Sequence, residues 1–314
     1  MTTKQLQEEI LTLKKNNDVI ILAHYYQPIE IQEIADFLGD SLGLSRTAKE
    51  KANSEYIIFA GVDFMAETAS ILNPDKHVLI PNPESFCPMA AFLTPEMVRD
   101  FKKINPGLPA VLYVNSTAAV KAESDICCTS ANAVRIVEKI SHEFDIDSVL
   151  FGPDANLADY AEQLSEIKTI KMPENGHCYV HSQITVENIK AEKEKYPKAK
   201  LIVHPECIRD VRDLSDFVGS TTRMYNYVKE NSSKTSEYII GTEVGLLERL
   251  TQDFPNNNFY LAKDKLICWN MKKHNLELIK YLLENLDDKA FEVKVPLEIA
   301  KSAIKSIEKM LEFS

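Results

Sequence analysis

The sequence is short of several things, and each shortage narrows what the protein can be. No apolar stretch approaches the ~18 residues that a membrane-spanning helix needs. Met1 through Lys15 form a charged segment of helical pattern without the apolar core of a signal peptide. Basic charge is in deficit, 36 Lys and Arg against 47 Asp and Glu for a net charge of -11. That excludes a nucleic-acid surface or a polybasic membrane anchor, since both need clustered cations, and any anionic ligand must be held by local groups. No Cys-x-x-Cys pair occurs among the six cysteines, so the close local spacing usual for structural zinc is missing. A soluble cytoplasmic protein is expected, with cysteines reduced, metal-bound or buried rather than paired in disulfides.

What is present is a repeat. At 314 residues and 45% apolar content the chain exceeds the size at which one core stops growing. Three cysteines, Cys87, Cys178 and Cys268, lie 91 and 90 residues apart. Other landmarks keep nearly the same interval. Apolar runs at Val19 to Ala23, Val111 to Val114 and Leu201 to Val203 read as buried strands, each followed by a polar residue, His24, Asn115 and His204. Helix-entry signals follow at Gly39-Asp40-Ser41, Cys128-Thr129-Ser130 and Gly219-Ser220-Thr221. A second strand ends near Gly61, Gly152 and Gly241, so three of only nine glycines fall in register. A third strand precedes each of the three cysteines, and helices such as Thr94 to Lys103, Val186 to Lys195 and Asn275 to Leu286 lead out.

The period is too long for a stacked solenoid of ~20–50 residues. Strands alternating with helices predict an α/β fold of three Rossmann-like αβα domains with parallel sheets and right-handed crossovers. The expected divisions are residues 1–105, 106–196 and 197–314, the last carrying extra C-terminal helices. Ligands in such folds collect at the carboxyl ends of the strands, where all these landmarks sit. Around a pseudo-threefold axis the three cysteines, His24, Asn115, His204 and the hydroxyls of Ser41, Ser130 and Thr221 would share one central cavity. Cys127, Cys128 and Cys207 lack this register and read as core, and His77, His142 and His274 as strand-edge or solvated side chains.

Three thiolates in a reducing compartment suit a cubane cluster, whose irons stand far enough apart to accept one cysteine from each of three domains. Three ligands to four irons leave one iron open as a Lewis acid. A 4Fe-4S cluster held by Cys87, Cys178 and Cys268 is therefore the leading expectation. Helix N-termini and hydroxyls around such a cavity suit small anionic substrates. His204 and Glu206, two residues apart after a strand, and Tyr26, two beyond His24, are the expected acid–base groups.

Several segments resemble the quinolinate synthase family of bacteria and archaea: Ile21-Leu-Ala-His-Tyr-Tyr-Gln27, Tyr113-Val-Asn-Ser-Thr-Ala-Ala-Val-Lys121, Thr129-Ser-Ala-Asn132, His204-Pro-Glu206, Gly241-Thr-Glu-Val-Gly245 and Cys268-Trp-Asn-Met-Lys-Lys273. Gly39-Asp-Ser-Leu42 and Gly219-Ser-Thr221 belong to the same set, and the resemblance covers essentially the whole chain. It implies an enzyme of NAD biosynthesis that condenses iminoaspartate with dihydroxyacetone phosphate, releasing phosphate and water. It further implies three α/β domains around a 4Fe-4S cluster on the same three cysteines. Tyr113 and Asn115 are implied as substrate contacts, His181 as a cavity residue and Met271 as a wall beside Cys268. An aspartate oxidase or dehydrogenase is the implied source of iminoaspartate. Some family members carry further cysteines near the C-terminus; none stands there in this sequence, and redox control of that kind is not expected. Two rivals stay open at this stage, another three-cysteine cluster enzyme of the reductive dehydroxylase or diphthamide type, and a non-catalytic metal-binding module.

Overall fold

The computed structural model describes residues 2–51 and 54–314. In the first unit, α1 (Thr3–Asn16) leads to β1 (Val19–His24), α2 (Ile29–Gln32), β2 (Phe37–Gly39), α3 (Ser41–Lys51), β3 (Tyr56–Ala60), α4 (Asp63–Leu72), β4 (His77–Leu79) and α5 (Pro95–Ile104). The order then recurs. The second unit holds β5 (Ala110–Tyr113), α6 (Ala118–Lys121), β6 (Ile126–Cys128), α7 (Ala133–Phe144), β7 (Ser148–Gly152), α8 (Ala155–Ser165), β8 (Lys168–Lys171) and α9 (Val186–Lys195). The third holds β9 (Lys200–Val203), α10 (Arg209–Asp213), β10 (Phe217–Val218), α11 (Thr221–Asn231), β11 (Glu237–Gly241), α12 (Val244–Asp253), β12 (Asn258–Leu261) and α13 (Leu276–Glu284), with α14 (Leu297–Phe313) closing the chain. None of these helices is long and apolar enough to cross a membrane.

Three four-stranded parallel sheets result, ordered β2-β1-β3-β4, β6-β5-β7-β8 and β10-β9-β11-β12. The expected α/β class with three αβα units is what the chain adopts. The central strands are continuous apolar runs, as strands covered on both faces must be; Ile21, Leu22, Ile57, Ile58, Val111, Leu112, Leu201 and Ile202 are all fully buried. The sequence pattern showed three strands per unit, and the structure has a fourth. The edge strands β2, β6 and β10 are only two or three residues long and too short to carry a period.

The units close on one another in a ring. Each lead-out helix packs on the following sheet. Val98 of α5 sits with Leu112 and Leu150, Ile189 of α9 with Leu201 and Ile239, and Ile279 of α13 returns to Ile21 and Ile58 of the first sheet. These helices begin in the same way, with Thr94, Thr185 and Asn275 accepting a hydrogen bond from the backbone N–H three residues on, which satisfies one orphan donor of the first turn. Ala303, Ile307 and Met310 of α14 join a core built from the first two units.

A second ring of contacts runs between neighbours. Gln32, Lys121 and Arg212 occupy equivalent places at the ends of α2, α6 and α10, all buried. Gln32 Nε2 donates to the Gly245 carbonyl at 3.2 Å, Lys121 Nζ to that of Phe64 at 3.3 Å and Arg212 to that of Asn156 at 3.2 Å. Each acceptor lies in the first turn of a helix of another unit. Two units approach closely at Gly245, where a Cβ would stand 2.5 Å from the Tyr25 carbonyl oxygen.

Gln32 also donates to the carbonyls of Tyr25 and Gln27, at 2.8 and 2.9 Å. Replacing it with Leu keeps the bulk and removes the donor to all three carbonyls, leaving those of Tyr25 and Gln27 without it. Urea unfolding of Gln32→Leu should show a loss of about 2–3 kcal/mol, and an unchanged midpoint would mean that these bonds hold nothing together.

Candidate functional site

The carboxyl ends of the three sheets face a shared, narrow cavity of about 60 Å³. It brings together every residue singled out from the sequence. Cys87, Cys178 and Cys268 line one part, each half-buried and unpaired in any disulfide. His24, Asn115 and His204 follow β1, β5 and β9, or end them, and Ser41, Ser130 and Thr221 stand at the adjoining helix entries. Tyr26, Tyr113, His181, Glu206 and Met271 complete the set.

The helix entries differ from expectation in detail. Ser41 and Thr221 are the first helical residues, and the capping is done one position earlier. Asp40 Oδ1 accepts from the Gly43 N–H at 3.0 Å, and Ser220 from that of Arg223. In the second unit the helix starts late, at Ala133 after Asn132, because Thr129 and Asn132 first close a turn with each other. Ser130 therefore lines the cavity from a turn. His274 also departs from its expected solvated place: it is buried, with Nε2 2.6 Å from the Gly61 carbonyl. Cys127, Cys128 and Cys207 are core.

A continuous chain of hydrogen bonds crosses the cavity wall. Tyr113 OH donates to Glu206 Oε1 at 2.6 Å, and His181 Nδ1 lies 2.7 Å from Glu206 Oε2. His181 Nε2 is 2.8 Å from Thr242 Oγ1, which is 2.6 Å from Tyr26 OH, and Thr221 Oγ1 donates to Tyr26 OH at 3.3 Å. Burial raises the Glu206 carboxyl, but the neighbouring imidazoles and the hydrogen bonds from His181 and Tyr113 outweigh it and hold the group below the ordinary carboxylate value, an anion at neutral pH. A carboxylate only accepts. His181 then donates from Nδ1 to Glu206; with a neutral ring its Nε2 accepts from Thr242, which in turn accepts from Tyr26. Burial, followed by the field of Glu206, pushes both Tyr26 and Tyr113 well above the ordinary tyrosine value, so both keep their protons.

The two other cavity histidines share one geometry. His24 Nδ1 accepts the Tyr26 N–H at 3.1 Å, and His204 Nδ1 accepts the Glu206 N–H at 3.3 Å. Each ring therefore presents Nε2–H as its free donor. Burial lowers His24 to about 4 against the raising fields of Asp40 and Glu206, with Lys272 lowering it further. Burial lowers His204 to about 3, with Glu206 opposing and His181 and His24 adding. His204 also stacks on His181 at a ring separation of 4.5 Å. At the equivalent place in the second unit, Asn115 Oδ1 is buried with no hydrogen-bond partner among the described residues.

Two kinds of residue escaped the sequence reading. Thr242, fully buried, links Tyr26 to His181. Asp63, Asp154 and Glu243 accept the backbone N–H of Cys87, Cys178 and Cys268. Their spacing of 91 and 89 residues was the available signal, for they stand in the same register as the glycines two positions before them. Burial, then neighbouring thiols or Glu206, raises Cys87 and Cys178 far above the usual thiol range. Thiolates there need a strongly cationic partner, which fits the donor set of a metal centre. Cys178, His181 and Glu206 also place ligand atoms within 4.8 Å of one another.

A sequence-family description, Quinolinate synthetase A protein, matches residues 8–312. The chain is 48% identical over 307 residues to the quinolinate synthase of Pyrococcus abyssi, covering 98% of this chain and 99% of that one. Against the quinolinate synthase of Thermotoga maritima it is 48% identical over 305 residues, 97% and 98% of the two chains. Against that of Methanothermobacter thermautotrophicus it is 49% identical over 310 residues, 99% of each.

The lowered histidines set a pH dependence. An unfolded histidine protonates near 6.5 and the native ones only near 4 and 3. Below pH 6.5 the unfolded chain binds protons that the native state does not, so stability falls with pH and the slope fades below about 4. Each ring contributes up to about 1.4 kcal/mol per pH unit. His24→Asn or His204→Asn, copying Asn115, should flatten the slope of unfolding free energy between pH 6.5 and 4.5; an identical slope would mean that the rings titrate normally.

Proposed function

The chain belongs to the quinolinate synthetase A family, and from that premise we propose that it acts as a quinolinate synthase in NAD biosynthesis, condensing iminoaspartate with dihydroxyacetone phosphate to quinolinate, phosphate and two waters. One observation carries the reading: a proton-carrying chain from Tyr26 to Glu206 lies in the same cavity as three sulfur donors. The units 1–105, 106–196 and 197–314 then each contribute one sulfur and one hydroxyl. Cys87, Cys178 and Cys268 would hold a 4Fe-4S cluster, and the buried thiols and the unpartnered Asn115 oxygen fit a cavity that takes a cationic centre and a polar ligand. When bound, the cluster supplies an iron with an open position that polarises a hydroxyl or carbonyl oxygen.

The remaining work falls to the side chains. Ser41, Ser130 and Thr221 bind phosphate and carboxylate oxygens, with the dipoles of α3 and α11 adding positive potential at Ser41 and Thr221. His24 and His204 point neutral Nε2–H groups at oxygens that gain charge as bonds rearrange; being uncharged, they donate without losing a proton. Asn115 adds an amide and Met271 an apolar wall. Tyr26 takes a proton from substrate as it passes its own to Thr242, while Thr242 passes its proton to His181 Nε2. The imidazolium so formed sits against the Glu206 carboxylate, the order in which a Ser-His-Asp triad activates its hydroxyl. Run backwards, the relay protonates a departing group. Tyr113 keeps Glu206 oriented and anionic. The net charge of -11 repels both anionic substrates at long range, so capture depends on these local donors. The setting is cytoplasmic, where thiols stay reduced. Iminoaspartate hydrolyses in water, and an aspartate oxidase or dehydrogenase must supply it nearby.

Four measurements test this. Anaerobic protein given both substrates and no reductant should form quinolinate; a need for reductant would favour a reductive cluster enzyme. Iron and sulfide analysis should give about four irons per chain, lost on replacing any one of the three cysteines with alanine. Glu206→Gln should retain the cluster and lose about 10²–10⁴ in kcat. Thr242→Val should lose a similar factor, with Thr242→Ser recovering most of it; equal rates in valine and serine variants would remove Thr242 from the relay.

A further inference from the structure

Outside the cysteines lies a second ring of side chains for which the proposed proton chemistry has no use. The backbone N–H of Cys87 donates to Asp63 Oδ1, that of Cys178 to Asp154 Oδ2 and that of Cys268 to Glu243 Oε1, each at 3.1 Å. Each acid stands two residues after one of the in-register glycines, at the start of α4, α8 or α12. The second carboxylate role differs between copies. Asp154 Oδ1 caps α8 by accepting from Leu157 N–H at 2.7 Å, and Glu243 Oε2 takes the Gly245 N–H at 2.6 Å. Asp154 and Glu243 are fully buried. Lys272 pairs with Glu243 at 3.3 Å, but no basic side chain pairs with Asp63 or Asp154 among the described residues.

Buried carboxylates are an expensive way to begin a helix. A serine or threonine would cap it without burying a carboxyl group, as Ser220 does for α11. The acids recur in every unit at the helix start beside a cysteine loop. The helices carrying them are themselves held from outside, since Gln32, Lys121 and Arg212 of another unit dock on the first turns of α12, α4 and α8.

We propose that Asp63, Asp154 and Glu243 are positioning residues for the cluster ligands, a carboxylate ring that fixes the direction of all three cysteine side chains by taking their backbone N–H groups. It rests on the reading that the cysteines hold an iron–sulfur cluster. The ring has two effects. Each cysteine loop is tied to its own helix, so three sulfurs from three separate units arrive pre-aimed. Each cysteine N–H is also kept from turning toward a cluster sulfur, and hydrogen bonds to cluster sulfurs are one of the controls on reduction potential. Removing the acceptor frees that N–H and shifts the potential upward. Oriented partners of this kind contribute 10–100-fold to metal affinity in other sites.

The test uses anaerobically reconstituted full-length protein and the variants Asp63→Ala, Asp154→Ala and Glu243→Ala beside Asp63→Asn, Asp154→Asn and Glu243→Gln. The amides still offer an oxygen to the cysteine N–H. Alanine variants should lose iron to a chelator about 10–100-fold faster than wild type, with the cluster's reduction potential moved positive, and the amide variants should lie much closer to wild type. Alanine variants with wild-type iron retention and potential would overturn the proposal, as would a lowered melting temperature of the apoprotein with an unaltered cluster, or equal defects in alanine and amide variants. Wild-type protein that takes up no cluster would instead overturn the underlying reading of the cysteines. If an alanine variant fails to fold, its amide partner decides: retention and potential both far from wild type would count against an acceptor role.

Discussion

Everything at the centre of this molecule depends on three parallel sheets being held with their carboxyl ends toward one point. No single unit encloses the cavity; each supplies part of the wall. Side chains from residues 24 to 271 must therefore be registered across unit boundaries to within hydrogen-bond distance. Cyclic docking does this. Helices α5, α9 and α13 each cover the next sheet, and Gln32, Lys121 and Arg212 tie the first turns of neighbouring helices. Those helices in turn carry the acids that face the cysteine loops, so the apolar packing at the periphery and the polar geometry at the centre are one system.

The scaffold is nearly threefold and the chemistry is not. At equivalent strand ends stand His24, Asn115 and His204, and only the third unit places a carboxylate two residues further on. Glu206 is that carboxylate. Because it is buried and anionic it accepts from whatever surrounds it, and the proton positions on Tyr113, His181, Thr242 and Tyr26 follow one after another from that fact. A symmetric set of donors can bind two small anions; one broken symmetry turns the set into a directional proton path.

Much of this was legible in the residues. The ~90-residue interval between Cys87, Cys178 and Cys268 exposed the repeat, and continuous apolar runs marked the central strands, because strands covered on both faces tolerate little else. Strand-end placement then led to His24, Glu206, Ser41 and their counterparts. Edge strands of two or three residues were invisible, being shorter than any period. The helix entry at Thr129 to Asn132 was misjudged because a local turn between two polar side chains competes with capping, and sequence does not say which one forms. His274 reads as a solvated histidine next to Asn275, yet it is buried on the Gly61 carbonyl.

By itself the sequence determined the class of fold, the threefold repeat and which side chains reach strand ends, since hydrophobic period and chain direction are local properties. Only the tertiary structure decided that Thr242 bridges Tyr26 and His181 and that Asp63, Asp154 and Glu243 stand behind the cysteines. Those facts are distances between groups far apart along the chain, and a hydrogen bond reaches only about 3 Å. No local pattern encodes a separation that small until three sheets have closed around the same space.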